Sequence, residues 1–235
     1  MIKDGIKIIQ VKVPQEAIEV CKNLFYEKVL RNSVLFLSGG STPKILYEVL
    51  AQEKKLSTGA VAMVDDRFGK KMHQESNELM IKNTQLLSFL QKTNTKFYPI
   101  LENKNIKDTT TDYDETVRYL FNYFQKSVGL LGIGKDGHIA GLPIGMTNDQ
   151  YQMSNKTSLV MSFNNFPGDF KERITLTFLG LSKLDLIIVL VFGKDKKKAL
   201  RLMFKQGSVS EVPARFLTQK EIAGKVIMIT DQTIK

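Results

Sequence analysis

The sequence predicts an α/β fold, a mostly parallel sheet with helices on both faces. Three observations predict it. Short continuous apolar runs alternate with segments of helical periodicity along the chain. Runs such as residues 34–37 (VLFL) lack polar alternation, as expected of strands covered on both faces. The alternation itself demands parallel pairing, because parallel strands need a long crossover, usually a helix.

The elements follow in order. Pro14 opens a helical stretch whose Ala17, Cys21, Leu24 and Phe25 share one face, so Cys21 is expected in the core. Strands are expected at 34–37 and 60–64. Between them a helix begins near Pro43, with Ser41 or Thr42 as its cap. A helix is predicted over about 76–90. Tyr113, Val117, Leu120, Phe121 and Phe124 have helical spacing and read as core. Strands follow at 128–133, 159–162, 173–177, 186–192 and 226–230, with a helix around 196–204 before the last. No repeat, low-complexity segment or Pro/Gly-rich linker interrupts the 235 residues, so a single domain over 1–235 is expected.

Composition narrows the class. The hydrophobic fraction of 43% and charged fraction of 25% are ordinary for a globular chain. No apolar run approaches the ~20 residues that span a bilayer. The start, MIKDGIKIIQ, lacks the apolar core of a signal peptide, and the single Cys21 has no internal disulfide partner. A cytoplasmic protein without membrane attachment is expected. The net charge of +10 is spread over the chain, and its densest cluster, residues 194–198, is short. No nucleic-acid-binding signature accompanies it, so the charge reads first as a solvated lysine-rich surface, with a field that steers small anionic substrates inward as the second reading. No nucleic-acid partner is expected.

Sites in parallel α/β sheets lie at the carboxyl ends of strands. Three strand ends carry polar residues. After Leu37 come Ser38, Gly39, Gly40, Ser41, Thr42 and Pro43, which read as a phosphate cradle ahead of a helix N-terminus. The lysine and spacing of a nucleotide triphosphate loop are missing. After Val64 come Asp65, Asp66 and Arg67, two carboxylates beside a guanidinium. After Ile133 come Gly134, Lys135, Asp136, Gly137 and His138. His138 is one of two histidines, and an imidazole at a glycine-lined strand end is a candidate general base. The other, His73, lies in a polar stretch and is expected to be exposed. Arg173 and Lys196 are candidates to complete an anion site. No cluster has the company of a metal ligand set.

Taken in order, SGGSTP, DDR, SN, GIGKDGH, RITLT, GKDKKKAL and PARFL resemble the 6-phosphogluconolactonases, which share a sugar-phosphate family with the glucosamine-6-phosphate deaminases. The resemblance runs from Val34 to about Leu217. It implies a cytosolic, cofactor-free hydrolase on a Rossmann-like α/β scaffold that opens a phosphorylated sugar lactone; the sequence leaves monomer and small homo-oligomer both open. Position by position, it implies that Gly39, Gly40, Ser41 and Thr42 form the phosphate-side loop. Asp65 and Arg67 match a D-E-R motif in which Asp66 replaces glutamate. His138 matches the general base. Arg173 and Lys196 match basic residues facing the phosphate, with Lys194, Lys197 and Lys198 as alternatives in register. Asp136 and Asp65 are both candidates to orient the imidazole or the attacking water, and N–H groups near 134–137 could meet a developing oxyanion.

The chain departs from that pattern beside the site. DGHIAGLPIG stands where the lactonases commonly carry DGHTASLFPG, and Gly69-Lys70 replaces a Val-Pro. The segment 164–168 has no clear family signature. Ile139 is deaminase-like, but Pro143 occupies the position, five after His138, where deaminases usually carry a glutamate. RITLT is also lactonase-like, so the resemblance favours the lactonase branch. A sugar-phosphate-binding module without turnover is a third reading.

Overall fold

The computed structural model describes residues 1–167 and 169–234. Gly168, the last residue of the 164–168 segment, and Lys235 lie outside the described residues. The chain opens with β1 (Ile2–Lys3) and β2 (Ile6–Gln10), an antiparallel pair. Then come α1 (Pro14–Lys28), β3 (Ser33–Leu37), α2 (Ser41–Glu53), β4 (Ala60–Met63) and β5 (Asp65–Arg67). The middle of the chain forms α3 (Asn77–Asn83), α4 (Leu86–Lys92), β6 (Lys96–Tyr98), α5 (Ile106–Tyr123) and β7 (Lys126–Gly132). After α6 (Asn148–Lys156) come β8 (Val160–Phe163), β9 (Arg173–Leu176), α7 (Phe178–Ser182) and β10 (Leu186–Val191). A 3₁₀ turn at Lys194–Lys196, α8 (Lys197–Met203), a second 3₁₀ turn at Pro213–Thr218, α9 (Lys220–Ala223) and β11 (Val226–Thr230) end the fold.

Eight strands form one sheet in the order β1-β2-β11-β10-β7-β3-β4-β6, parallel apart from the β1–β2 pair. Every residue of β3 is buried. Successive side chains of a strand point to opposite faces, so both faces there are covered. The predicted α/β class is what the structure has.

Two of the expected parallel strands belong elsewhere. The strand predicted at 159–162 and the RITLT strand are β8 and β9, which pair antiparallel with each other and with β5 in a separate three-stranded sheet. Asp65-Asp66-Arg67 is therefore a strand, not a loop after one. The exchange happens at Val64. Its N–H donates to Leu37 O in the main sheet, and its carbonyl accepts from Leu176 N of β9. One residue earlier, the Tyr113 hydroxyl bonds both Met63 N–H and Met63 O, taking the place of a ladder partner.

The helix predicted over 76–90 is two helices. Thr84 turns its hydroxyl back to Ile81 O, and Gln85 adopts φ 65°, a left-handed conformation no α-helix continues through. The predicted opening helix is α1, begun by Pro14, with Cys21 in the core. Tyr113, Val117 and Leu120 are buried on α5, while Phe121 and Phe124 are partly buried against the core. The short strands β1, β2 and β6 and the helix α6 were outside the periodic pattern. Among the described residues, no helix is long and apolar enough to cross a membrane.

Candidate active site

A cleft of about 650 Å³ opens at the carboxyl ends of β3, β7 and β10. That volume suits a small ligand. It is lined by Gly39, Gly40, Ser41, Thr42, Asp65, Arg67, His138, Arg173 and Lys196, which gathers nine of the ten site residues expected from sequence. The tenth, Asp136, does not line it. It sits behind His138.

The Asp136–His138 pair is built by a tight turn. Gly137 N–H donates to Gly134 O, and Gly134 N–H donates to His138 O. Ala214, in the PARFL segment, donates its N–H to Gly137 O and props the turn from outside. One oxygen of Asp136 accepts both the backbone N–H of His138, at 3.1 Å, and ring Nδ1, at 2.6 Å. Partial burial pushes the Asp136 carboxyl up, but the hydrogen bond and charge of His138 outweigh it and hold it at about 2. A carboxylate only accepts, so Nδ1 carries a proton, and in the neutral ring Nε2 is the nitrogen with the lone pair. Gly134 makes this possible. A Cβ there would stand 2.1 Å from both Cε1 and Nδ1 of the imidazole.

The small sheet supplies the opposite wall. Arg67 and Arg173 are direct register partners across β5 and β9. Like charges opposite each other in a ladder repel, at a cost of roughly 0.2–1 kcal/mol. Each guanidinium has a buried Nε without a hydrogen-bond partner and lies over an aromatic ring. Arg67 stands 5.6 Å from the Phe170 centroid, and Arg173 stands 4.5 Å from that of Phe166. Arg67 is further held by Glu75 O and Asn77 Oδ1. Burial lowers the Arg173 pKa against the opposing pull of Asp65. Burial likewise raises the Asp65 carboxyl, against Arg173, Arg67 and His138. Two facing cations beside one buried carboxylate leave net positive charge for an anionic ligand.

Asp66 points the other way, with no exposure, and accepts the N–H groups of Arg67, Asn77 and Glu78. Burial pushes its carboxyl up to about 7 against those donors. Its role is to anchor the start of α3. Asn77, present in the sequence reading only within the Ser76-Asn77 pair, becomes a hub. Its amide donates to Asp65 O and accepts from Arg67, and it fills the space a Cβ on Gly39 would take, 1.9 Å away. Gly39 therefore lets the 38–43 loop and the small sheet close on one another.

Other expectations are corrected. Neither Ser41 nor Thr42 caps α2; Gly40 is the N-cap, without a side-chain bond, and both hydroxyl residues lie in the first turn. They line the cleft, as does Ser38, whose buried Oγ has no partner. Lys196 does not open a helix but closes the 3₁₀ turn before α8. Its Nζ donates to Ile133 O at 2.8 Å, inside the cleft. Burial lowers its pKa, against Asp195. Of the four lysines in register, Lys196 is the one that reaches the cleft. His73 is not simply exposed: it is half-buried, with Nε2 3.0 Å from Arg67 O. Phe166 and Phe170 were missed, because nothing in the local pattern distinguishes a phenylalanine stacked on an arginine from one in the core.

The fold and this cleft define an α/β protein with a cationic cleft at the carboxyl ends of its parallel strands, and the relatives say which family it belongs to. The family described as glucosamine-6-phosphate isomerases/6-phosphogluconolactonase matches residues 14–228, and the chain belongs to it. It is 29% identical over 204 residues to a 6-phosphogluconolactonase of Nostoc sp., spanning 83% of this chain and 80% of that protein. It is 29% identical over 187 residues to the 6-phosphogluconolactonase of Thermotoga maritima, spanning 79% of each. A solved 6-phosphogluconolactonase from Plasmodium vivax superposes with a TM-score of 0.79 at 19% identity, over 99% of this chain and 93% of that one. A monomeric glucosamine-6-phosphate deaminase does so with a TM-score of 0.72 at 20% identity, over 97% and 98%. At those identities the solved structures show a common fold.

Proposed function

We propose that this protein hydrolyses 6-phospho-D-glucono-1,5-lactone to 6-phospho-D-gluconate, a step of the pentose phosphate pathway. The observation that carries the reading is the imidazole of His138, tethered through Nδ1 to Asp136 and open through Nε2 beside a cationic cleft. Nε2 takes a proton from water as the water oxygen bonds to the lactone C1. The C1–O5 bond then breaks, and the ring oxygen leaves with the proton that His138 returns. Asp136 is the positioning residue, since it keeps the proton on Nδ1. Asp65, buried on the far wall, balances the two arginines and orients water or a sugar hydroxyl.

The phosphate is held by the Ser38–Thr42 loop, Arg67, Arg173 and Lys196, at the N-terminus of α2 where backbone dipoles favour an anion. Holding the remote phosphate places C1 against the base. A lactone is an activated ester, so one base and one water suffice, and the single domain 1–235 needs no cofactor for this chemistry.

A pH-stat assay on wild type and His138→Ala tests the reading. Wild type is expected to exceed spontaneous opening of the lactone, and the variant to lose about 10²- to 10⁴-fold while remaining folded. Full activity in the variant removes His138 from the mechanism. Pro143, buried five positions after His138, offers no carboxylate for deamination. Ammonia released from glucosamine 6-phosphate would overturn the choice between branches, and binding of 6-phosphogluconate without turnover would favour a binding module.

A further inference from the structure

Phe166 makes two ring contacts at the edge of the cleft. Its ring meets the imidazole of His138 in a T-shaped arrangement, centroids 5.1 Å apart and planes at 80°. The guanidinium carbon of Arg173 stands 4.5 Å from the same ring's centroid. The ring is 5% exposed, although it lies in the irregular stretch between β8 and β9. Its backbone N–H is pinned to Lys171 O at 3.0 Å.

We propose that Phe166 is a positioning residue whose single ring fixes the imidazole of His138 relative to the guanidinium of Arg173, and so sets the spacing between the water-activating and phosphate-binding ends of the cleft. The inference rests on the function proposed above. Arg173 has an unpartnered Nε and faces a like charge, Arg67, in register. The ring's negative face is the attraction that draws its guanidinium away from that repulsion. His138 is tethered at Nδ1 by Asp136, which leaves the ring free to swing about that atom. The T-shaped contact sets its plane. Phenylalanine suits the task because two χ angles fix a large rigid surface, whereas leucine has similar bulk but no π face. Misplacement of reacting groups by about 1 Å can cost on the order of a hundredfold in rate.

The test is steady-state kinetics of Phe166→Leu and Phe166→Tyr on the phosphorylated lactone and on unphosphorylated glucono-1,5-lactone. With the phosphorylated substrate, F166L is expected to raise KM about tenfold and lower kcat about tenfold, and F166Y to return both to within about twofold of wild type. With the neutral lactone only the loss in kcat is expected, because no phosphate engages Arg173. A double variant with Arg173→Lys separates positioning from a merely loosened segment. If Phe166 acts through Arg173, F166L adds little to the KM of R173K. Effects that multiply overturn the proposal, as does an F166L enzyme within twofold of wild type in both constants. Should wild type fail to open the lactone, the functional reading falls first. Calorimetry with 6-phosphogluconate then still tests Phe166, through an expected tenfold weaker binding by F166L, and equal affinities overturn it.

Discussion

Gly134 is where the backbone decides the chemistry. The imidazole of His138 occupies the space that any side chain at 134 would take, and the same turn bonds Gly134 N–H to His138 O. Gly134→Ala is therefore expected to push the ring off Asp136 and lower kcat by about a hundredfold, with the fold retained by circular dichroism. Activity near wild type in G134A would mean the ring has another place to sit. Asp136 gives a second expectation. Its carboxyl falls from an ordinary 3.8 to about 2 in the folded state, so it stabilises the fold above pH ~4 and loses that contribution as pH drops towards 2. The pair is partly exposed, so the contribution is about 1 kcal/mol. Urea midpoints measured from pH 5 to 2 should fall more steeply for wild type than for Asp136→Asn. A parallel fall in both shows that the pair carries no linked stability. The Asp-Gly-His spelling exposed this pair in the sequence. Which aspartate meets His138 was not legible, because Asp65 and Asp136 are both near charged neighbours in the chain and only folding brings Asp136 within hydrogen-bond distance of the imidazole.

At the scale of elements, the strand ends were readable and the second sheet was not. An apolar run looks the same whether its partners are parallel or antiparallel, so nothing in RITLT announced that it pairs with Asp65–Arg67. The switch depends on Val64 dividing its backbone groups between two sheets, a tertiary fact. Similarly, the split between α3 and α4 follows from the left-handed Gln85 and a back-bonded Thr84, neither of which breaks the apolar periodicity. Asp66 joins these elements. Its carboxylate collects three N–H groups from β5 and α3, and Ala in its place orphans all three. Asp66→Ala is expected to lose about 2–4 kcal/mol near pH 5, lowering the melting temperature by roughly 5–10 °C, and less at pH 8, where ionisation of a buried carboxyl lifted to about 7 has already weakened the wild-type fold. It should also raise KM for the phosphorylated lactone, because Asn77 and hence Arg67 shift with the start of α3. A D66A protein that melts with wild type would show that water replaces the carboxylate at no cost.

The whole molecule carries +10, and sequence alone left that charge as a diffuse property. Folding gives it a direction, since Arg67, Arg173 and Lys196 converge in one cleft while Asp65 is the carboxylate among its buried lining residues. The field of such a cleft, reinforced by a basic surface, raises the local concentration of a small anion and is screened within about 10 Å at 0.1 M salt. On the proposed function, the phosphorylated lactone should feel this field, and the unphosphorylated lactone, offered to the same proposed base, should not. Raising ionic strength from about 0.01 to 0.2 M is therefore expected to lower kcat/KM for the phosphorylated substrate about threefold or more and leave the neutral one within experimental scatter. Arg67→Gln should flatten the salt dependence, because it removes one of the two facing cations. Kinetics at four or five salt concentrations with both substrates decide the matter. Equal salt sensitivity for the two lactones would trace the effect to the enzyme's fold and remove the charge from substrate capture, whereas divergence confined to the phosphorylated one assigns the excess of basic residues a part in catalysis.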